Sequence, residues 1–223
     1  MTAEKILPTI AILGGTGNEG PGLALRWAKY GFQVIIGSRQ LEKARATAEK
    51  LNKELGIQTI EGYDNSTAAR KADLCVLTVV QSAHEQAIES LKNDLKGKIL
   101  VDTTARVDYR DPRPPAPPAA ARLAQEKLGD QVRVVAAFQN VPAASLRNNL
   151  DEPLEEDLLI CADDPDDAAE VAKLAEALGM NVYYAGNLDN AVVIEGLTSI
   201  LISINKYYRS RTASIQITGI KKE

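Results

Sequence analysis

The sequence predicts an α/β protein built on a doubly wound, mostly parallel sheet, and three observations support that fold class. Short apolar runs alternate with longer helical patterns from one end of the chain to the other. The connections between these segments are short, as they are in parallel sheets that helices cover on both sides. The stretch "DLCVLTVV" is apolar on both faces, which is typical of a central parallel strand.

The order of the segments indicates one main unit and a smaller extension. The chain has 223 residues, of which 45% are hydrophobic, so it can bury one large core. The apolar runs predict strands at 9–14, 32–38, 57–62, 73–80, 97–104, 132–138, 157–162 and 181–186. The helical patterns predict helices at 21–30, 41–55, 84–95, 119–128, 165–178 and 189–208, and the alternating stretch 214–220 predicts a last strand. We expect one domain over residues 1–186 and a small C-terminal extension of helix and strand over 187–223.

Composition narrows the classes of function. The formal net charge of -4 argues against a general binder of nucleic acid or of anionic membranes. Cys75 and Cys161 lie inside apolar runs, so we expect two buried, unpaired thiols on strands and no disulfide or metal site. The start of the chain does not have the pattern of a signal peptide, and no apolar segment is expected to reach transmembrane length. The expectation is a soluble cytoplasmic protein.

A glycine-rich loop follows the first predicted strand. Gly15, Gly17 and Gly20 fit the pattern G-x-G-x-x-G between a strand and a helix. The first glycine permits a tight turn, the second lets the backbone approach a pyrophosphate, and the third lets the helix pack against the strand. Amides at the helix start can hold phosphates, and Thr16 and Asn18 can add side-chain donors. The loop predicts a Rossmann-type, dinucleotide-binding domain.

The end of the second predicted strand indicates which dinucleotide binds. An acidic residue at this position accepts hydrogen bonds from the ribose of NAD. Here the strand ends in "GSR", with Ser38 and Arg39, and Lys43 follows one helical turn later. Hydroxyl, guanidinium and ammonium groups bind a ribose 2′-phosphate, which a carboxylate would repel. The sequence therefore predicts NADP.

The sequence offers few groups for proton transfer. Its only histidine, His84, lies near the start of the helix after the fourth strand, where it can stack on a cofactor or serve as a capping or partly exposed residue. Tyr63, Tyr109, Asp102 and Thr104 remain as further candidates. This shortage favours a substrate that accepts hydride with little help, such as a second redox coenzyme, and no catalytic side chain is assigned.

Taken in order, several segments resemble one family along nearly the whole chain. They are "GGTGNEGPGLALRWAKYG", "IIGSRQLEKA", "ADLCVLTV", "GKILVDTT", "VVAAFQNVPA" and the closing "EGLTSILISINKYY" with "ITGI". This combination resembles the NADPH-dependent reductases of coenzyme F420, an 8-hydroxy-5-deazaflavin. The resemblance implies reversible hydride transfer between carbon 4 of the nicotinamide and carbon 5 of the deazaflavin.

The resemblance also implies roles for individual residues. The sites are a pyrophosphate loop of Thr16, Gly17, Asn18 and Glu19; a 2′-phosphate site of Ser38, Arg39 and Lys43; a nicotinamide contact of Val79 and Val80; and a deazaflavin edge of Gln139, Asn140, Val141, Pro142 and Ala143. The C-terminal helix, around residues 197–201, would wall the deazaflavin cavity. Some relatives carry Pro in place of Val80 and His in place of Gln139, which leaves details of the ring contacts open. For the anionic tail of the coenzyme the candidates are Arg106, Arg147, Lys206, Arg209 and Arg211.

Two other functions remain open at this stage. One is an NADPH-dependent reductase of a different acceptor, such as ferric ion, a flavin or an imine. The other is a non-catalytic NADP sensor. The expected partners are two small-molecule coenzymes, and a second copy of the chain, because the last helix carries a wider apolar stripe than a surface helix needs.

Overall fold

A computed structural model describes residues 7–220, and it contains one eight-stranded sheet. The strands are β1 (Ile10–Leu13), β2 (Val34–Ser38), β3 (Ile60–Asp64), β4 (Leu74–Leu77), β5 (Ile99–Asp102), β6 (Arg133–Ala136), β7 (Leu158–Ala162) and β8 (Val182–Tyr184). The helices are α1 (Gly20–Tyr30), α2 (Leu41–Leu55), α3 (Asn65–Lys71), α4 (Gln81–Leu91), α5 (Ala120–Leu128), α6 (Pro165–Glu176) and α7 (Ala191–Tyr208). The predicted fold class is confirmed.

The sheet order is β3-β2-β1-β4-β5-β6-β7-β8. Strands β1 to β6 pair in parallel with their neighbours, β7 pairs antiparallel to β6, and β8 is parallel to β7. Strands β2 and β3 are therefore added on one side of β1, and strands β4 to β8 on the other side. The crevice at this reversal of strand order, outside the carboxyl ends of the strands, is where doubly wound sheets bind ligands.

Both faces of the sheet are buried, because alternate residues of each central strand point to opposite sides. Ile10 and Ile12 join a core with α1, α2 and α6, in which Trp27 packs edge-on against Phe138. Ala11 and Leu13 join a second core with α3, α4, α5 and the start of α7. Cys75 and Cys161 lie on β4 and β7, buried and unpaired, as predicted.

Two elements differ from the sequence-based expectation. Helix α3 was not predicted; it begins after Asp64, whose side chain accepts a hydrogen bond from the Thr67 amide at 2.9 Å and so caps the helix. The strand predicted at 214–220 is wrong. That segment runs as irregular chain beside the start of β7, where Ile215 accepts a hydrogen bond from the Asp157 amide.

The last helix also differs in one respect. Contrary to the expectation of no segment of transmembrane length, Leu188–Tyr208, with 21 residues and a mean hydropathy of 1.3, is long and apolar enough to cross a membrane, as core helices of soluble proteins also are. Its inner side packs on the second face of the sheet and carries Glu195, which is paired with Arg106. The boundary predicted between 186 and 187 stays a prediction, and residues 1–6 and 221–223 of the two proposed units lie outside the described residues.

Candidate functional site

A cavity of about 880 Å³ opens at the carboxyl ends of β1, β2 and β4. This volume lies within the usual range for sites that bind small molecules. The cavity brings together seven of the residues predicted from the sequence, Thr16, Gly17, Ser38, Arg39, Lys43, Val79 and Val80. Its other lining residues are Gly14, Gln40, Asn65, Thr78, Ala83, Gln86, Ala87 and Ser90.

The glycine loop occupies one side of the cavity. A Cβ at Gly15 would come within 2.6 Å of the Ile12 carbonyl, and one at Gly20 within 2.5 Å of the Gly15 carbonyl, so both positions require glycine for packing. The left-handed residue of the turn is Gly14, with φ of +73°, one residue before the predicted motif. A Cβ at Gly17 would meet only the Gly14 carbonyl, at 3.9 Å, so this glycine faces open space in the cavity.

The loop also presents unused hydrogen-bond donors. No described residue accepts a hydrogen bond from the backbone amides of Thr16, Gly17 or Asn18, which precede α1. Free amides at the start of a helix, with the positive end of the helix dipole, are suited to an anion. Asn18 and Glu19 were predicted in this loop, and neither lines the cavity as the structure defines it.

The end of β2 supplies positive charge. Arg39 and Lys43 are exposed, line the cavity and form no ion pair with any described residue. Ser38 is buried, and its hydroxyl oxygen accepts a hydrogen bond from the Gln40 amide at 3.2 Å, which leaves its O–H able to donate. Asn65 was not predicted. Its side-chain oxygen accepts a hydrogen bond from the Gly14 amide at 3.1 Å and so fixes the floor of the turn.

The opposite end of the cavity is apolar. Val80 is the residue before α4, and 70% of its surface is exposed. Val79 is half-buried and packs beside Gly14, since its Cγ1 lies 2.6 Å from the position that a Cβ there would take. The cavity therefore has a cationic end at β2, free amides in the middle and an apolar end at β4.

A chain of polar side chains lies beside the apolar end, at the end of β5. His84 is 8% exposed and its Nε2 lies 2.6 Å from Oδ2 of Asp102, which is fully buried. Of the two alternatives for His84, the capping or partly exposed residue is therefore wrong, and stacking on a cofactor stays a prediction. The hydroxyl oxygen of the next residue, Thr103, lies 3.0 Å from Oε2 of Glu19 and 3.1 Å from the Leu77 carbonyl, which share its one hydrogen. No local pattern in the sequence indicates these contacts, because the partners are 18 and 84 residues apart.

Two pKa values are shifted in this chain of side chains. Burial raises the pKa of Glu19 to about 8; the Thr103 hydrogen bond opposes that shift and the charge of Asp102 adds to it. Burial lowers the pKa of His84, but the hydrogen bond and charge of Asp102, with the charge of Glu195, outweigh burial and raise it above its usual value. Both shifts favour the protonated form of the group.

The predicted deazaflavin edge after β6 does not line this cavity. Gln139, Asn140 and Val141 are buried, and Pro142 and Ala143 are half-buried. The Asn140 side chain donates to the Asp157 carbonyl at 2.7 Å and accepts from the Leu159 amide at 3.4 Å, so it joins β6 to β7.

Gln139 is placed differently from its neighbour. It donates Nε2 to the Asp102 carbonyl at 2.9 Å, and within residues 7–220 its Oε1 is buried without a partner. The Thr104 hydroxyl oxygen is likewise buried and unpartnered there. Thr198 of α7 donates to the Gln139 carbonyl at 2.8 Å, so the last helix reaches this edge of the sheet.

The structure separates the five cations that were candidates for an anionic tail. Arg106 is paired with buried Glu195 at 2.9 Å, and Arg147 with Glu54 at 3.0 Å. Lys206 donates to the carbonyls of Tyr109 and Arg110. The remaining two, Arg209 and Arg211, are exposed at the end of α7.

The doubly wound sheet, its glycine loop and the cationic end of β2 place the chain in the Rossmann class of dinucleotide-binding folds. A family model described as "NADP oxidoreductase coenzyme F420-dependent" matches residues 9–106. The F420-dependent NADP reductase of Methanothermobacter thermautotrophicus is 38% identical over 96% of this chain and 96% of that protein. The enzyme of the same description from Methanocaldococcus jannaschii is 38% identical over 95% of this chain and 99% of that protein. The chain belongs to the F420-dependent NADP reductase family.

A solved structure supports the fold. The crystal structure of a proposed F420-dependent NADP reductase from Arthrobacter sp. FB24 has a TM-score of 0.79, with 23% identity over 94% of this chain and 99% of that chain.

Proposed function

We propose that this protein transfers a hydride reversibly between NADP(H) and the deazaflavin coenzyme F420. The observation that carries the proposal is the likeness along nearly the full length to F420-dependent NADP reductases. The geometry supports the NADP half independently, because unpaired Arg39 and Lys43, free loop amides and the open face of Gly17 lie along one cavity.

In this proposal each of the three parts of the cavity binds one part of the nucleotide. Arg39, Lys43 and the O–H of Ser38 bind the 2′-phosphate, and the amides of Thr16, Gly17 and Asn18 bind the pyrophosphate, with Glu19 beside them. Gly15 and Gly20 hold the loop against β1. Val79 and Val80 then lie against the nicotinamide and exclude water from it.

The deazaflavin would lie at the edge formed by Gln139, Asn140, Val141, Pro142 and Ala143, with α7 behind it. Because both rings carry their own redox chemistry, the contribution of the protein is to hold the two carbons at about 3–3.5 Å in a dry cleft. No catalytic side chain is assigned.

An absorbance experiment tests this function. Purified protein mixed with NADPH and oxidised F420 should remove the visible absorbance of the deazaflavin, and NADP⁺ with reduced F420 should restore it. A ferric chelate and a free flavin serve as alternative acceptors in parallel samples. Binding of NADPH with turnover of one of those acceptors and none of F420 would contradict the proposal, and binding with no turnover at all would favour a sensor.

We further propose that the protein acts as a cytoplasmic homodimer. The support for the dimer is a set of exposed apolar side chains along α7 and its end, Val193, Ile200, Ile204, Tyr207 and Tyr208. The first four recur at helical spacing and so share one face.

A further inference from the structure

Helix α4 forms one wall of the cavity. The residues of one face line the cavity, and they are Ala83, Gln86, Ala87 and Ser90. The residues of another face are buried, and they are His84, Ile88 and Leu91. His84 is the polar member of that buried face, in the first turn of the helix and close behind Val80. Whatever His84 binds therefore holds the start of α4, and with it the apolar end of the cavity.

Asp102, the last residue of β5, is fully buried and forms hydrogen bonds to two different parts of the site. Its side chain reaches α4, since Oδ2 lies 2.6 Å from Nε2 of His84. Its other carboxylate oxygen accepts a hydrogen bond from the Thr104 amide at 3.0 Å. Its main-chain carbonyl accepts one from Nε2 of Gln139 at 2.9 Å, and Gln139 begins the predicted deazaflavin edge. One residue thus joins the nicotinamide side of the proposed site to its deazaflavin side.

The turn that carries Gln139 is itself fixed in place. Phe138, the residue before it, has φ of +73°, a conformation that a non-glycine residue keeps only where the surrounding structure enforces it. Thr198 of α7 donates to the Gln139 carbonyl at 2.8 Å. His84, Asp102 and Gln139 are all buried, and hydrogen bonds between buried groups are strengthened by the low local dielectric. The link from α4 to this turn is therefore shielded from water along its length.

We propose that His84 is a positioning residue for hydride transfer, which acts through Asp102 to hold the nicotinamide side of the site in register with the deazaflavin edge. This inference rests on the hydride transfer proposed above. In the direction from NADPH, the hydride carries its electron pair from carbon 4 of the nicotinamide to carbon 5 of the deazaflavin. The reduced deazaflavin also takes a proton from solvent, and His84 gains and loses nothing.

The two coenzymes keep their own binding residues when the link is cut. Loss of the link should therefore slow the transfer and leave both affinities nearly unchanged. A misplacement of about 1 Å between the reacting atoms can slow a reaction about 100-fold.

Two variants of His84 separate the link from the rest of the side chain. His84→Leu removes the hydrogen bond to Asp102, whereas His84→Gln keeps an N–H donor close to the place of Nε2. When NADPH-loaded protein is mixed with oxidised F420 in a single turnover, the rate of absorbance loss should fall about 10–100-fold in His84→Leu and stay within about threefold of the wild type in His84→Gln. NADPH deuterated at carbon 4 should slow this phase further, which identifies it as hydride transfer. Fluorescence titration should give a dissociation constant for NADPH within about twofold of the wild type in both variants.

Asn52→Ala is the matched control for stability. Asn52 is buried and joins α2 to β3 outside the cavity, since it donates to the Ile60 carbonyl at 2.8 Å and accepts from the Ile60 amide at 3.0 Å. Asn52→Ala should lower the midpoint of thermal unfolding, as His84→Leu should, without slowing the hydride step. If His84→Leu does not fold, His84→Asn replaces it, because its amide is too short to reach Asp102 while the side chain stays polar.

Four outcomes would overturn the inference. The first three are equal slowing in His84→Leu and Asn52→Ala, slowing in His84→Gln as large as in His84→Leu, and a wild-type rate in His84→Leu. The fourth is an equal loss of NADPH affinity in both His84 variants, which would mean that the imidazole contacts the nucleotide itself. Binding of NADPH by the wild type without reduction of F420 would instead refute the proposed function.

Discussion

At the residue scale, the loop contains glycines that meet two different requirements. Gly20 lacks a side chain because the Gly15 backbone already occupies the space, whereas Gly17 lacks one although space is available. Because the folded chain leaves room for a side chain at Gly17, we attribute the glycine at this position to the binding of a ligand. The two positions therefore separate stability from binding.

Alanine at each of these glycines tests that separation. Gly20→Ala should lower the free energy of unfolding by about 1–3 kcal/mol, because the methyl group overlaps backbone. Gly17→Ala should change it by less than about 0.5 kcal/mol, yet weaken NADPH binding at least about tenfold, because the methyl group lies where the pyrophosphate approaches. Urea denaturation and fluorescence titration measure the two quantities. Equal effects of both variants on stability would contradict this division.

Arg39 should determine the choice between nucleotides. Arg39→Ala removes a charged donor from the 2′-phosphate, so NADPH affinity should fall about 10–100-fold while NADH affinity stays nearly unchanged. Arg45→Ala is the matched control, because Arg45 is exposed near the start of α2, the helix that follows Arg39, and pairs with Glu42 instead of lining the cavity. An equal loss for both nucleotides would mean that Arg39 does not bind the phosphate.

The residues predicted from the sequence are those whose role depends on neighbours along the chain. The glycine loop and the set Ser38, Arg39 and Lys43 are each contiguous within one turn or one strand end, so local pattern is enough. Glu19 with Thr103, and His84 with Asp102, meet only because β1, β4 and β5 lie side by side. Contacts between residues so far apart along the chain leave no periodic pattern in a single sequence.

At the scale of elements, one arginine joins three segments on the edge of the sheet away from the cavity. Arg122 of α5 donates two hydrogen bonds to Asp163, after β7, at 2.7 and 2.8 Å, and one to Asp189 of the turn before α7 at 2.7 Å. Its hydrogen bonds lower the pKa of Asp163 below its usual value. The start of α7 is thereby fixed to both α5 and β7.

Arg122→Ala should lower the free energy of unfolding by about 1 kcal/mol at pH 7, since the pair is partly exposed. Because the pKa of Asp163 is depressed in the folded protein, this stabilisation is present above its ordinary value of 3.8 and is lost as pH falls through the folded value. The difference between variant and wild type should therefore shrink below about pH 3.8. Arg113→Ala, which breaks an exposed pair with Asp111, is the control and should change little at either pH.

Element prediction succeeded where periodicity was strong and failed where capping or length decided the outcome. Helix α2 was predicted at its observed bounds because Gly56 ends it with a φ of +69°. Helix α3 is only seven residues long and too short for a clear apolar period, although the Asp64 cap was a usable signal. The stretch 214–220 alternates as a strand does. However, β7 is already paired with β6 on one side and β8 on the other, so the stretch forms a backbone hydrogen bond only with Asp157, the residue before β7.

At the scale of the whole molecule, the outer face of α7 carries several exposed apolar side chains. Its inner face is buried in the second core, and the outer face exposes Val193, Ile200 and Ile204 in one line. Exposed apolar patches of this kind mark association surfaces. We therefore expect two copies of the chain to associate through this face.

Light scattering at micromolar concentration should give the mass of a dimer for the wild type and of a monomer for Ile200→Glu, because a carboxylate at the centre of the face cannot be buried without a partner. Tyr30→Glu, at an exposed aromatic residue on α1, is the control and should remain a dimer. A monomeric wild type would remove the proposed dimer, and a dimeric Ile200→Glu would move the interface elsewhere.

The reversal of strand direction at β7 has a practical consequence for labelling the protein. Because β7 and β8 run opposite to β6, α7 starts at the far edge of the sheet and returns towards the carboxyl ends of β1 to β6, where Thr198 meets Gln139. The chain after α7 then lies beside Asp157 at that same edge, whereas the chain entering β1 lies at the far edge. A fluorophore or fusion partner joined ahead of β1 should leave the cavity clear, and one joined after residue 220 should crowd the predicted deazaflavin edge, where Asn140 also contacts Asp157.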